Sequence, residues 1–195
     1  MFYTKAHKQK SRERILESAS RLFAHRGYDS VSIDELMHDA GMTRGAFYNH
    51  FEDKAELYAD AIMYAATRSP RAAEQAGATS SAASLGAFLN TYLSRAHVED
   101  VETPCPLAFL VTDVGARNGK VRRAYTRVYR SLVRLISKRL GDMRAHDRRD
   151  TVMAVTALMI GGVAVGRALD DAQVTERLLR SCRVTARRLL EEIRE

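Results

Sequence analysis

Residues 32–54 read SIDELMHDAGMTRGAFYNHFEDK, and this stretch decides the fold. Ser32 with Glu35 three residues on is a capping box, the Ser32 hydroxyl accepting from the Glu35 amide while the carboxylate reaches back. Val31 and Leu36 flank it at the spacing of a hydrophobic staple. The pattern predicts a helix from Ile33 to about Ala40, stopped at Gly41. Thr43 caps a second helix, with Met42 and Phe47 as its staple pair, ending near Phe51. Asp53 with Glu56 opens a third, which reaches about Arg68. Upstream, Ile15, Leu16, Ala19, Leu22 and Phe23 recur at helical spacing between Gln9 and Arg26, and Gly27 marks the stop. Short helices about a tight turn have the layout of a helix-turn-helix module. Its second helix is too short to be a good core element and carries Arg44, Tyr48, Asn49 and His50 on outward positions. Gly45 and Ala46 leave no bulk at its start, so the backbone can approach a groove closely, while Phe47 and Phe51 anchor the other side.

The same residues carry a family resemblance. Ile33 through Leu57, with Ala40-Gly41-Met42-Thr43-Arg44-Gly45-Ala46-Phe47-Tyr48-Asn49-His50-Phe51 and Asp53-Lys54, resembles the N-terminal domain of TetR-family transcriptional regulators. The likeness extends back through Arg14-Ile15-Leu16, Ala19, Leu22-Phe23 and Gly27-Tyr28. Met37 departs from it, standing where many members have Ala, which implies local repacking. An exposed Arg44 near the start of the recognition helix can fork onto O6 and N7 of guanine; its plainer roles are a phosphate contact or solvation. The resemblance implies that Thr43, Tyr48 and His50 grip the DNA backbone, with Tyr48 alternatively a ring over the small core. It implies that Asn49 touches bases, that Lys54 meets a phosphate, and that Ser32 adds its hydroxyl or amide. Lys5, Lys8, Lys10 and Arg12 form either an arm along the duplex or a solvated tail.

Composition bounds the class. The chain has 195 residues, 46% hydrophobic and 28% charged, which excludes disorder, and its 3 Pro and 11 Gly leave long helices as the default. Two cysteines, Cys105 and Cys182, are too few for a disulfide scaffold. The first residues lack the apolar core of a signal peptide. The uncharged run from Val152 to Gly166 falls short of the roughly 20 residues that span a bilayer. A cytoplasmic, all-α protein with no membrane partner is expected. The net charge of +7 is uneven: residues 1–26 carry 7 basic against 2 acidic side chains, and residues 117–149 carry 12 against 2.

Beyond the helix-turn-helix, the small polar stretch 69–83 reads as a connection. A helix over about 83–97 follows, with Leu85, Phe88, Leu89, Tyr92 and Leu93 on its apolar side. Pro104-Cys105-Pro106 opens another that ends before Asn118. From Gly119 to Gly141, Tyr125, Val128, Tyr129, Leu132 and Ile136 share one face, and Arg123, Arg127, Arg130, Arg134 and Lys138 the opposite one, which is most simply a solvated face. The last two helices, 148–169 and 171–194, meet at Asp170-Asp171.

The chain therefore reads as two domains: 1–54, a helix-turn-helix DNA-binding domain with a basic arm, and 55–195, a larger helical domain. The resemblance implies that the second encloses a small-molecule effector and dimerises through its last two helices, where Gly161 and Gly162 permit close approach. Met63, Tyr64, Phe88, Tyr92, Phe109, Tyr125, Tyr129 and Met159 are together candidate walls for an apolar or aromatic effector, although each taken singly reads first as plain core. Asp113 is either a polar anchor for a cationic ligand or the partner of a nearby Arg. Cys105, between two prolines at a helix start, joins the pocket candidates and also offers a thiol that senses oxidants. The six His show no metal-ligand spacing, and neither a phosphate-binding Gly loop nor a Gly-x-Ser-x-Gly elbow occurs, so no metal, cofactor or enzymatic activity is expected. The expected function is sequence-specific binding of a palindromic double-stranded DNA operator by a homodimeric repressor, released by a small effector. The alternative is a redox-sensing repressor using Cys105.

Overall fold

The computed structural model describes residues 5–68, 82–140 and 145–193. Among the described residues every regular element is a helix. These are α1 (Lys5–Arg26), α2 (Ile33–Asp39), α3 (Arg44–Phe47), α4 (Lys54–Arg68), α5 (Ala82–Tyr92), α6 (Arg95–Val98), α7 (Pro106–Phe109), α8 (Val111–Val114), α9 (Gly119–Arg139), α10 (Ala145–Ala168) and α11 (Ala172–Glu192). The connection expected at 69–83 lies outside the described residues except for its last two positions, which begin α5.

The described chain forms two compact units, one from residues of 1–69 and 101–128, the other from residues of 70–100 and 129–195. The first unit thus runs past residue 54 to take in α4, α7 and α8. Its core is the buried stripe of α1 (Ile15, Leu16, Ala19, Phe23) set against Leu57, Tyr58, Ala61 and Ile62 of α4, with α7 packed on both helices. α1 begins at Lys5 rather than Gln9, so Lys5, Lys8 and Lys10 lie on exposed turns of helix; Lys, Gln and Arg lose little rotamer freedom there. α2 carries the predicted capping box in full. Gly41 follows it at φ +64, and a Cβ there would lie 2.7 Å from the Arg14 guanidinium, so this turn requires glycine. α3 is only four residues long, with Tyr48–His50 continuing as turn. Gly45 weakens helix here, and the following amides tighten into i→i+3 bonds, Asn49 to Ala46 and His50 to Phe47.

In the second unit the helix expected over 83–97 breaks, because Ser94 caps a new helix by accepting from the His97 amide at 3.2 Å. The helix opened by Pro106 likewise splits into α7 and α8 at Leu110, in the first unit. α10 and α11 form the principal packed pair of the second unit, joined at Asp171, whose carboxylate accepts from the Gln173 and Val174 amides. The segment Arg148–Ala168 of α10, at mean hydropathy 1.6, is long and apolar enough to cross a membrane, although its uncharged run alone is not. Within the unit it behaves as a core helix: Val152, Val155, Met159 and Val163 are fully buried. Gly162 is closely opposed within the unit, since a Cβ there would meet Cys182 Sγ and Leu93 at 3.0 Å; at Gly161 it would meet no atom of the described residues within 4 Å.

Candidate nucleic-acid interface

Three side chains of α1 fix the C-terminal end of α2. Arg14 Nη2 donates to the Ala40 carbonyl at 2.7 Å, Arg21 Nη2 donates to both oxygens of Asp39 at 2.8 and 2.7 Å, and the Ser18 hydroxyl donates to the same carboxylate at 2.5 Å. Arg14, Ser18 and Arg21 stand at i, i+4 and i+7, so they share one face of α1; of the three only Arg14 was singled out by the sequence, and this spacing is the signal that marks Ser18 and Arg21. At the other end Arg26 pairs with Glu35 at 3.0 Å. The Ser32 amide and hydroxyl both already serve Glu35, at 2.8 and 2.9 Å, and hold its carboxyl down to about 2, the amide contributing most.

α3 then presents its surface. Thr43, Arg44, Gly45, Tyr48 and Asn49 are exposed, while Phe47 and Phe51 are buried with ring centroids 5.7 Å apart. Thr43 occupies the cap position, but its hydroxyl makes no capping bond. Arg44 Nη1 donates to Asp34 at 2.7 Å, and the Tyr48 hydroxyl and Asp34 together raise its pKa. The Tyr48 ring meets Phe47 edge-on at 5.1 Å yet stays 59% exposed, so it is both braced by the core and available outside it. Nothing lies within 4 Å of a Cβ built on Gly45, leaving that backbone open to close approach. His50 is half-buried, its Nδ1 has no hydrogen-bond partner among the described residues, and burial with Lys8 and Arg12 nearby pushes its pKa down. Lys54, the first residue of α4, lies 4.2 Å from the centroid of the Tyr28 ring, and burial lowers its pKa. All the candidate DNA-contacting residues therefore fall within the first unit, on α2, α3, the turn after it and the start of α4.

The pocket candidates divide between the units. Met63, Tyr64, Cys105, Phe109, Asp113 and Tyr125 belong to the first, and Phe88, Tyr92, Tyr129 and Met159 to the second. In the first unit Cys105 and Phe109 are buried, the Tyr125 hydroxyl donates to the Leu107 carbonyl at 2.8 Å, Arg68 lies 5.4 Å from the Tyr64 ring, and Met63 is half-buried on α4. Asp113 is bound within the protein: it accepts from the Tyr58 hydroxyl at 2.6 Å and from Arg117 at 2.9 Å. In the second unit Phe88 and Tyr92 pack at 5.9 Å, Met159 is fully buried, and the Tyr129 hydroxyl donates to the Met153 carbonyl at 3.5 Å. A cleft of about 310 Å³ in that unit is bordered instead by residues that were not pocket candidates, among them Arg95, Glu99, Arg167 and Asp170. Arg123, Arg130 and Arg134 of α9 are exposed, as expected of a solvated face.

A short, exposed helix held over a capped neighbour by buried aromatics defines the class: an all-helical protein with an N-terminal helix-turn-helix. Residues 15–61 match the family described as "Bacterial regulatory proteins, tetR family", a similarity carried by the helix-turn-helix part of the chain. The chain is 46% identical over 57 residues to the HTH-type transcriptional regulator AcrR of Shigella flexneri, covering 29% of this chain and 26% of that one. It is 42% identical over 59 residues to the HTH-type transcriptional repressor BepR of Brucella suis, covering 30% and 28%. The likeness thus spans little more than a quarter of the length of these relatives. Among solved structures, a TetR-family transcriptional regulator from Streptomyces coelicolor superposes with TM-score 0.75 at 20% identity, over 96% of this chain and 97% of that one. A TetR transcriptional regulator from Chloroflexus aurantiacus superposes with TM-score 0.74 at 25% identity, over 92% and 95%. The fold is shared along nearly the whole chain, the sequence mainly in the N-terminal domain.

Proposed function

We propose that the chain is a cytoplasmic transcriptional regulator that binds a palindromic operator as a homodimer and acts as a repressor released by a small effector. The observation that carries this reading is the exposed row Thr43, Arg44, Gly45, Tyr48 and Asn49 on an element whose only buried side chain is the anchor Phe47. Arg44 is already held in place by Asp34, so engaging guanine exchanges one charge-assisted hydrogen bond for two. His50 and Lys54 complete the surface with backbone contacts, and residues 1–54 act as the DNA-reading part. Residues 55–195 receive the effector and dimerise. The effector is apolar or aromatic, and it acts by binding preferentially to a conformation whose recognition helices no longer fit successive major grooves. The thiol alternative places the sensor at Cys105, which is buried, so an oxidant must wait for local opening; the effector reading therefore takes precedence.

Selection of bound duplexes from random DNA, repeated with Arg44→Ala at fixed salt, tests the reading. The expected result is a palindromic consensus, with Arg44→Ala losing about 1–3 kcal/mol of discrimination at one base pair per half-site. Binding with no consensus, fading only as salt rises, overturns it.

A further inference from the structure

Asp29, in the turn after α1, and Lys54, at the start of α4, lie close enough that each stabilises the other's charge. Asp29 is nevertheless committed elsewhere. Arg117 forks onto it, with Nη1 to Oδ1 at 2.9 Å and Nη2 to Oδ2 at 2.7 Å, a paired geometry that an ammonium cannot reproduce. Arg117 is itself held: Asp113 accepts from its Nη2 at 2.9 Å, and the guanidinium carbon lies 4.7 Å from the Tyr28 centroid. That ring is the one against which Lys54 rests. Asp113 also accepts from the Tyr28 amide at 3.3 Å and from the Tyr58 hydroxyl at 2.6 Å, tying α8, the turn after α1 and α4 to one carboxylate. The Arg117 and Asp113 side chains are 16% and 18% exposed, so these bonds are shielded from competing water, whereas Asp29 is 76% exposed.

We infer that Arg117 is a positioning residue for DNA binding: by occupying Asp29 it keeps the Lys54 ammonium free for a phosphate, and with Asp113 it fixes the Tyr28 ring that supports the lysine stem. The inference rests on the DNA-binding reading of Lys54. Its physical content is a competition. Asp29 has one cation too many beside it; with Arg117 in place the lysine keeps an unneutralised charge, and without Arg117 the carboxylate turns to Lys54. Since Arg117 lies after α8, outside the helix-turn-helix, any rearrangement of residues 113–117 is read out as the availability of Lys54.

The test measures operator affinity against salt for the full chain and for Arg117→Gln, Lys54→Gln, the two combined, and Arg117→Gln with Asp29→Asn. The slope of log affinity on log salt counts phosphate contacts at about 0.9 each. Arg117→Gln is expected to lower the slope by about that much and the affinity about tenfold. Adding Lys54→Gln should change nothing further, and adding Asp29→Asn should restore both quantities. An unchanged slope for Arg117→Gln, or additive losses with Lys54→Gln, overturns the inference. A second readout needs no DNA: NMR titration of Lys54 in the free protein should move upward in Arg117→Gln and return when Asp29→Asn is added. A Lys54 titration indifferent to Arg117 sinks the clamp whatever the DNA results. A clamp that passes this titration in a protein without an operator preference leaves the clamp standing and overturns only the DNA-binding reading.

Discussion

At the scale of single residues, the interface is built by satisfying the polar ends of short helices. Glu35 shows the consequence in pH. Its folded pKa lies at about 2 against an ordinary 4.5, because the Ser32 amide and hydroxyl and the Arg26 guanidinium favour the carboxylate. A depressed carboxyl contributes stability that is complete above pH 4.5 and is lost as pH falls toward 2. Thermal unfolding of the full chain and of Glu35→Gln across this window isolates the contribution. The gap between their midpoints should be constant above pH 5 and close toward pH 2; a gap that persists at the acid end refutes the assignment. The box was fully legible, because Ser-x-x-Glu states both partners and their spacing. The Arg117–Asp29 pair was not, since its members stand 88 residues apart and no local pattern joins them. Asp113 was legible only as a choice between ligand anchor and ion-pair partner, and within the protein it holds Arg117, Tyr58 and Tyr28.

At the scale of elements, the long helices and α2 match their expected bounds to within a few residues, whereas α3 is shorter than expected and the breaks at Ser94 and Leu110 are additional. α9 and α11 declare themselves by apolar stripes opposite charged ones, and α2 by its box and Gly41. The break between α5 and α6 turns on Ser94, whose capping role competes with continuation of an apolar pattern through Leu93, and the break at Leu110 has no polar marker at all. Glycines illustrate the same limit: sequence shows which residues are small but not what lies opposite. Gly86, in α5, faces no atom within 4 Å of a Cβ, whereas Gly162, in α10, faces Cys182 and Leu93 at 3.0 Å. Gly86→Ala should therefore stabilise by about 0.5–1 kcal/mol through helix propensity. Gly162→Val should destabilise by about 1–3 kcal/mol through overpacking. Denaturant midpoints with unchanged slopes check both signs, and a Gly162→Val variant as stable as the parent would show that the close approach of α10, α11 and Leu93 is not real.

At the scale of the whole molecule, the helix-turn-helix fold was legible and a candidate pocket was not. Recognition of a helix-turn-helix depends on contiguous residues in fixed register, whereas a pocket and a core are lined by the same aromatics and methionines, and the candidates Tyr64, Phe88, Tyr125 and Tyr129 fall in different units. Assembly lies between these cases. α10 buries one face, yet its other face is also apolar: Met153, Ala154, Ala157, Val165 and Ala168 are exposed, with Gly161 between them half-exposed. No charged side chain interrupts it from Thr151 to Gly166. On α11, Val174 and Val184 are 48% and 61% exposed. Such a surface, with small residues at helical spacing, suits close packing against a second copy. Ala157 is the position to test, because its exposure lets a long charged side chain be accommodated in the protomer while placing that charge in the middle of the proposed contact. Ala157→Arg should convert a dimer to a monomer of 21.8 kDa in sedimentation equilibrium, with the thermal midpoint of the isolated protomer nearly unchanged. On DNA, the monomer should bind a single half-site about as the parent does and lose the gain from the second half-site, since the two recognition helices are no longer linked. Persistence of the dimer in Ala157→Arg would move the interface off this face of α10. A monomeric variant that still bound the palindrome as tightly as the parent would show that pairing of the two half-sites does not depend on the last two helices.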